Sequence, residues 1–225
     1  MRGNGGADEG DGSGVYWSLV IPLKPLAVAK SRLADAAGEE LRPGLALAFA
    51  QDTVAAAAVA PGVLDVVVVT DDQLAGAELA RLGARVLPDA PGAGLNPALA
   101  HGARAVRARR PDAPVAVLNA DLPALRPAEL ARVLSAAAAF PRSFLADAVG
   151  TGTTFLSASP GVELAPAFGG PSRNRHRRSG AVEITVAGVD SVRRDVDTGE
   201  DLRAALRLGV GIRTAALTGR PRIAE

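Results

Sequence analysis

The 225-residue sequence contains no cysteine, which excludes a disulfide, a thiolate nucleophile and a zinc–thiolate site. Aromatic residues are scarce, at 3%, so valine, leucine and alanine must fill the core. No stretch approaches the roughly 18 uninterrupted apolar residues of a membrane-spanning helix. The amino terminus lacks the basic-then-apolar order of a secretory signal, so the expected compartment is the cytoplasm. Charge of one sign is also missing. A net charge of +1 argues against a general nucleic-acid binder and against a polybasic membrane-surface protein.

Lysine is nearly absent as well. Of the 25 basic residues, 23 are arginine, and the two lysines, Lys24 and Lys30, stand six positions apart after the first apolar run. Arginine is a planar fork, whereas lysine is a compact, mobile point charge suited to a phosphate that moves during reaction. The alternative is two surface lysines left over in an arginine-biased composition.

The length suits one α/β domain. Residues 1–14 are rich in Gly and Asp and are expected to be a disordered extension, with 15–215 a single domain and 216–225 a carboxyl-terminal tail. Leu19–Leu23 is expected to be a first strand, Leu41–Ala60 a helix stopped by Pro61-Gly62, and Val63–Thr70 a second strand. Val66–Val69 shows no polar alternation, as expected of a parallel strand buried on both faces. A helix over Gln73–Leu82, a strand over Ala84–Leu87, a helix over Pro97–Arg110, a strand over Val115–Leu118 and a helix over Pro127–Ala139 continue the alternation. Such βαβ repetition predicts a mostly parallel central sheet flanked by helices. The second half is expected to be a β-rich flank, with strands over Ser143–Ala148, Thr153–Ser157 and Val182–Ala187 and few helices between them. Thr198 and Asp201 have capping-box spacing and are expected to open a last helix reaching Leu208.

In open parallel sheets the ligand sits beyond the carboxyl ends of the strands. The residues that follow the strands are Lys24, Lys30, Ser31 and Arg32; Thr70-Asp71-Asp72; Gly94-Leu95-Asn96; and Asn119-Ala120-Asp121. The β-rich half adds Gly150–Thr154 and Arg193–Asp197. Cations, carboxylates and small residues on one edge suit a nucleoside triphosphate with Mg²⁺. Asp121 is a candidate Mg²⁺ ligand, since that ion takes one or two protein carboxylates plus phosphate oxygens; the alternative is a helix cap before Pro127. Asp195 and Asp197, two apart, would share one face of an extended strand, where a cation between them would relieve their repulsion. The alternative there is solvated acids at a turn. Gly150–Thr154 is either a phosphate-binding loop or a hairpin turn, and no intact phosphate-binding P-loop is present. The Asn96 amide could read a base edge or cap the helix at Pro97. His101 is expected on a helix face. His176 lies among four arginines in Ser172–Arg178, either on a solvated helix face or in a clamp for a phosphorylated, carboxylated acid.

These pieces together resemble the guanylyltransferases of deazaflavin coenzyme F-420 biosynthesis, relatives of the molybdenum-cofactor and sugar-phosphate nucleotidyltransferases. The matching segments are Ile21–Lys24, Ala29–Leu33, Gly94–Asn96 with Ala98-Leu99, Asp121–Leu125, Gly150–Thr153, Phe168–Gly169 with Ser172, His176–Ala181 and Asp195–Thr198, in order along the chain. The resemblance implies a Rossmann-like, GT-A-like nucleotidyltransferase fold. It also implies transfer of GMP from GTP to a three-carbon phospho-acid: phosphoenolpyruvate, 2-phospho-L-lactate or 3-phospho-D-glycerate. Mg²⁺ would be held at Asp121, Asp195 and Asp197, the acceptor at Thr153, Gly169 and Ser172, and GTP at Lys24, Lys30, Arg32 and Asn96. The bias toward arginine and alanine suggests a high-GC genome and tips the expected acceptor to phosphoenolpyruvate. No nucleic-acid or membrane partner is expected, and the chain is expected to act as a monomer or homodimer. A sugar-phosphate or molybdopterin nucleotidyltransferase would carry a glycine pair in the first loop, which Leu23–Arg32 lacks. A glycosyltransferase using Asp195-Val196-Asp197 would leave Asp121 and the lysines without roles, and a degenerate nucleotide sensor would not need both acidic clusters.

Overall fold

A computed structural model describes residues 15–29, 33, 38, 40–90 and 92–219. Among these, seven strands form one sheet: β1 (Trp17–Pro22), β2 (Val63–Val69), β3 (Arg85–Leu87), β4 (Val115–Leu118), β5 (Arg142–Ala146), β6 (Thr153–Ala158) and β7 (Val182–Glu183). The spatial order is β3-β2-β1-β4-β6-β5-β7. β1 pairs in parallel with β2 and β4, β2 with β3 and β5 with β7, while β6 runs antiparallel to both β4 and β5. The helices are α1 (Arg42–Ala58), α2 (Gln73–Ala80), α3 (Leu95–Arg109), α4 (Pro127–Ala137), α5 (Ser172–Arg178), α6 (Asp190–Arg193), α7 (Gly199–Leu208) and α8 (Ile212–Thr218).

Successive residues of the central strands feed two cores. Leu19, Ile21, Val66 and Val68 face one side, where Ala50 and Val54 of α1 and Leu130, Val133 and Leu134 of α4 cover them. Val20, Val67, Val69, Val115 and Val117 face the other, against Leu99, Ala103 and Val106 of α3. A strand buried on both faces cannot alternate apolar with polar, which is why Val66–Val69 is unbroken. Each of these valines is at most 2% exposed, and burial of each contributes about 1.5 kcal/mol or more.

Expected and observed boundaries agree to within two residues for most of the first-half elements. The second half needs correction. Besides its strands it holds α5, α6 and α8, and β7 is only two residues long, so the expected β-rich flank is a mixture of short helices and strands. Helices of four to seven residues are too short to print a 3.6-residue period. The helix opened at Thr198 ends at Leu208 as expected, and a separate helix, α8, runs on to Thr218, into the stretch expected to be a tail. No helix among the described residues is long and apolar enough to cross a membrane.

Chain order puts the crevice between β1 and β4. From β1 the chain steps outward to β2 and β3, then returns to β1's other side as β4, so the connections after β1 and β4 diverge. That switch point is where open α/β sheets bind ligands. α3 packs closely there: a β-carbon on Gly102 would lie 2.6 Å from Val20 Cγ1 and 2.9 Å from Val69 Cγ2. Gly102→Ala should therefore lower stability by roughly 1–3 kcal/mol through overpacking. Denaturant unfolding measures it, and an unchanged midpoint would contradict this packing.

Candidate functional site

The loop after β4 is the most constrained part of the site. Thr53, buried on α1, accepts from the Leu122 N–H at 3.0 Å, and its hydroxyl lies 3.2 Å from the Ala120 carbonyl and 2.7 Å from Phe49 O. The two peptide groups flanking Asp121 are thus held by one side chain. The Asp121 carbonyl accepts from Val196 N at 3.0 Å, and the Pro123 carbonyl from Gly211 N at 2.9 Å. The cap residue of α4 is Arg126, so Asp121 does not cap that helix.

The Val196 bond brings the second acidic segment alongside. Val196 is fully buried, with Asp195 half-buried and Asp197 exposed on either side of it. The two acids were expected on a strand; they lie instead in an irregular stretch between α6 and α7, outside the sheet. The expected capping box is present, with Thr198 accepting from Asp201 N, so neither Asp195 nor Asp197 caps α7. Among the described residues no three His, Cys, Asp or Glu side chains gather closely enough to hold a metal ion by themselves. The acids flanking the Val196–Asp121 bond are nonetheless hard oxygen donors of the kind Mg²⁺ takes in ones and twos, with phosphate oxygens completing its shell.

Lys24 is exposed in the loop after β1. That loop is tied down by Asp72, whose carboxylate accepts from Ala75 N at 3.0 Å, capping α2, and from Leu26 N at 2.8 Å. These two N–H bonds hold the Asp72 carboxyl below its ordinary pKa. Lys30 and Arg32 lie outside the described residues.

Across β4 the site continues onto β6. Asn119 N donates to Thr154 O at 3.0 Å, so the start of β6 lies beside the Asp121 loop. The hairpin turn before it resolves one open alternative. The amides of Gly150, Thr151 and Gly152 donate to the Asp147 carboxylate at 2.6, 2.9 and 2.9 Å, so the turn is closed on its own acid and offers those amides to no phosphate.

Thr153, Ser172 and His176 are brought together and buried. Ser172 Oγ lies 3.1 Å from Thr153 Oγ1, and Thr153 Oγ1 lies 3.0 Å from His176 Nδ1. Gly169 precedes this cluster with φ of +90°, a left-handed conformation that favours glycine. Asn96 is in the first turn of α3, whose cap is Gly94, so it is not the helix cap. Its amide clamps the Phe168 backbone instead, donating to Phe168 O at 3.2 Å and accepting from Phe168 N at 2.7 Å. That engages one N–H and one lone pair and leaves the second N–H.

A hollow of about 720 Å³ lies at the opposite edge of the sheet, beside Trp17, Arg110 and Pro114. It touches neither Lys24 nor the acidic segments, and open α/β sheets bind their ligands at the other, carboxyl edge. The residues that sequence reasoning missed are Thr53 and the positioning role of Asn96, which act through backbone atoms of distant segments, and Asp147, which acts through the amides of its own turn.

His176 is fully buried rather than on a solvated face. Burial, then the charges of Arg142 and Arg175, lower its pKa from 6.5 to about 4. The folded protein therefore refuses a proton that the unfolded chain accepts below pH 6.5. Stability is full above that pH and declines as pH falls from 6.5 toward 4. Thermal unfolding at pH 5 should show a loss on the order of 2 kcal/mol relative to pH 7.5, absent in His176→Phe. Equal pH slopes for the two proteins would contradict a buried neutral imidazole. Separately, Thr53→Val should cost about 1–3 kcal/mol, because it leaves the Leu122 N–H without its acceptor; a thermal midpoint equal to wild type would contradict that role.

Residues 17–215 match the family profile described as guanylyl transferase CofC like. A protein from Streptomyces coelicolor named phosphoenolpyruvate guanylyltransferase is 70% identical over 210 residues, covering 93% of this chain and 99% of that protein. One of the same name from Thermomonospora curvata is 63% identical, covering 91% and 89%. Among solved structures, a nucleotide-diphospho-sugar transferase from Desulfovibrio desulfuricans G20 superposes with a TM-score of 0.66 at 16% identity, over 91% of this chain and 94% of that one. A Methanothermobacter nucleotidyl transferase gives 0.57 at 20% identity, over 86% and 97%. Those two share the fold. The match over nearly the whole folded chain, together with the relatives' identity, means that this chain belongs to the CofC-like guanylyl transferase family of nucleotidyltransferases.

Proposed function

We propose that the chain transfers GMP from GTP to phosphoenolpyruvate, giving enolpyruvyl-diphospho-guanosine and pyrophosphate, as a step of coenzyme F-420 biosynthesis. The observation that carries this is the 70% identity, across 93% of the chain, to a protein named phosphoenolpyruvate guanylyltransferase. The placement of Lys24, Asp121 and Thr153 at one sheet edge is consistent with it.

On this reading an acceptor phosphate oxygen attacks the α-phosphorus of GTP in line, and pyrophosphate leaves. The attacking group is already an anion, so no general base is needed, and rate comes from positioning and charge. Lys24 and Lys30 would neutralise the triphosphate, with Arg32 beside them. The remaining N–H of Asn96 would reach guanine or ribose. Thr153, Ser172 and the Gly169 backbone would hold the acceptor's carboxylate end. Asp121 would hold Mg²⁺ with Asp195 and Asp197, and the ion would supply charge neutralisation at the phosphates. The Thr53, Val196 and Gly211 bonds keep the Asp121 backbone in place while substrates exchange.

The test is pyrophosphate release from GTP with phosphoenolpyruvate, 2-phospho-L-lactate or a sugar 1-phosphate. Release with phosphoenolpyruvate is expected, and release with the sugar phosphate alone would overturn the proposal. Asp121→Asn should reduce turnover on the order of a hundredfold or more with unchanged circular dichroism. Near-normal turnover of that variant at limiting Mg²⁺ would remove Asp121 from the metal site.

A further inference from the structure

We infer that His176 is a positioning residue whose tautomer makes the Thr153–Ser172 hydroxyl pair a donor toward the acceptor acid. The inference rests on the proposal that this pair faces the acceptor. The backbone N–H of Ala167 can only donate, and it lies 3.0 Å from His176 Nε2. Nε2 must therefore present a lone pair.

The ring has no access to water, being 0% exposed, with Phe168 edge-on at 5.0 Å and Phe144 tilted at 5.8 Å. The charged groups that bear on it are the guanidinium groups of Arg142, on β5, and Arg175, on α5, and both disfavour a second positive charge. A neutral imidazole with a bare Nε2 carries its hydrogen on Nδ1. Nδ1 then donates to Thr153 Oγ1 at 3.0 Å.

Thr153 and Ser172 bring two hydroxyl hydrogens, and one of them bridges the two oxygens, 3.1 Å apart. The other has no acceptor within the cluster, whichever way the bridge points. It is available to a ligand oxygen. With the opposite tautomer, Thr153 would donate to Nδ1 and Ser172 to Thr153, and both hydrogens would be consumed internally. The pair would then show a ligand only lone pairs, which repel a carboxylate. The buried imidazole thus decides whether this pocket attracts or rejects an anion, without touching that anion.

The chain has only two histidines, His101 and His176, so nitrogen NMR of ¹⁵N-labelled protein resolves the ring, with His176→Phe identifying its signals. At neutral pH the expected spectrum has Nδ1 protonated and Nε2 bare. A protonated Nε2, alone or together with Nδ1, overturns the inference. Kinetics supply the second arm. His176→Phe keeps the ring's bulk but neither nitrogen, and should raise the acceptor KM up to about tenfold while leaving the GTP KM unchanged. His176→Gln, which keeps one donor and one acceptor, should recover part of that loss; a purely packing role would give no recovery. Thr153→Val is measured in parallel. If it raises the acceptor KM and His176→Phe does not, the inference fails while the acceptor site stands. If neither variant moves the acceptor KM, the acceptor site itself is wrong.

Discussion

The loop from Ala120 to Pro123 is held by hydrogen bonds from three places far apart in sequence: Thr53 on α1, Val196 between α6 and α7, and Gly211 before α8. Each bond fixes a backbone group, so Asp121 stands at the switch point with little freedom in its main chain. The Val196 bond does a second thing. It docks the second acidic segment against the first, so an amide of one stretch bonds directly to a carbonyl of another some 70 residues away. Such distant bonds cost loop-closure entropy only once, and packing of Val196 and Leu122 in the core helps offset it.

The proposed acceptor side is joined to this hub through the sheet. Antiparallel pairing of β4 with β6, extended by the Asn119–Thr154 bond, places Thr153 next to the Asp121 loop. Asn96 then ties the start of α3 to Phe168, next to Gly169. The proposed nucleotide and acceptor sides would thus share one frame, as in-line transfer between two bound anions requires.

Much of this was legible in the sequence. The unbroken Val66–Val69 run, the alternation of strands with helices and the capping box at Thr198 all depend on local preference or period, and each appears where expected. Lys24 and Asp121 could be placed on one edge because parallel strands put their carboxyl ends together; Thr153 joins them because it opens β6, which runs antiparallel to β4. What was not legible depends on tertiary contact. Nothing in the Asn96 neighbourhood announces that its amide mimics a backbone partner for Phe168, and nothing around Thr53 marks it as the holder of a loop 67 residues away. His176 sits among arginines and looks solvated by composition, yet its helix turns it inward between two phenylalanines. The Gly150–Gly152 turn looks like a phosphate cradle until Asp147 is seen to occupy its amides.

The claim at the centre is that one carboxyl edge of the sheet holds both substrates, with the Asp121 loop between them. A crystal structure with Mg²⁺, a non-hydrolysable GTP analogue and phosphoenolpyruvate tests it most directly. The account predicts triphosphate oxygens between Lys24 and Asp121, and the acceptor's carboxylate within hydrogen-bond distance of Thr153 or Ser172. Nucleotide bound instead in the hollow beside Trp17 and Pro114, or an acceptor remote from Thr153, would contradict it.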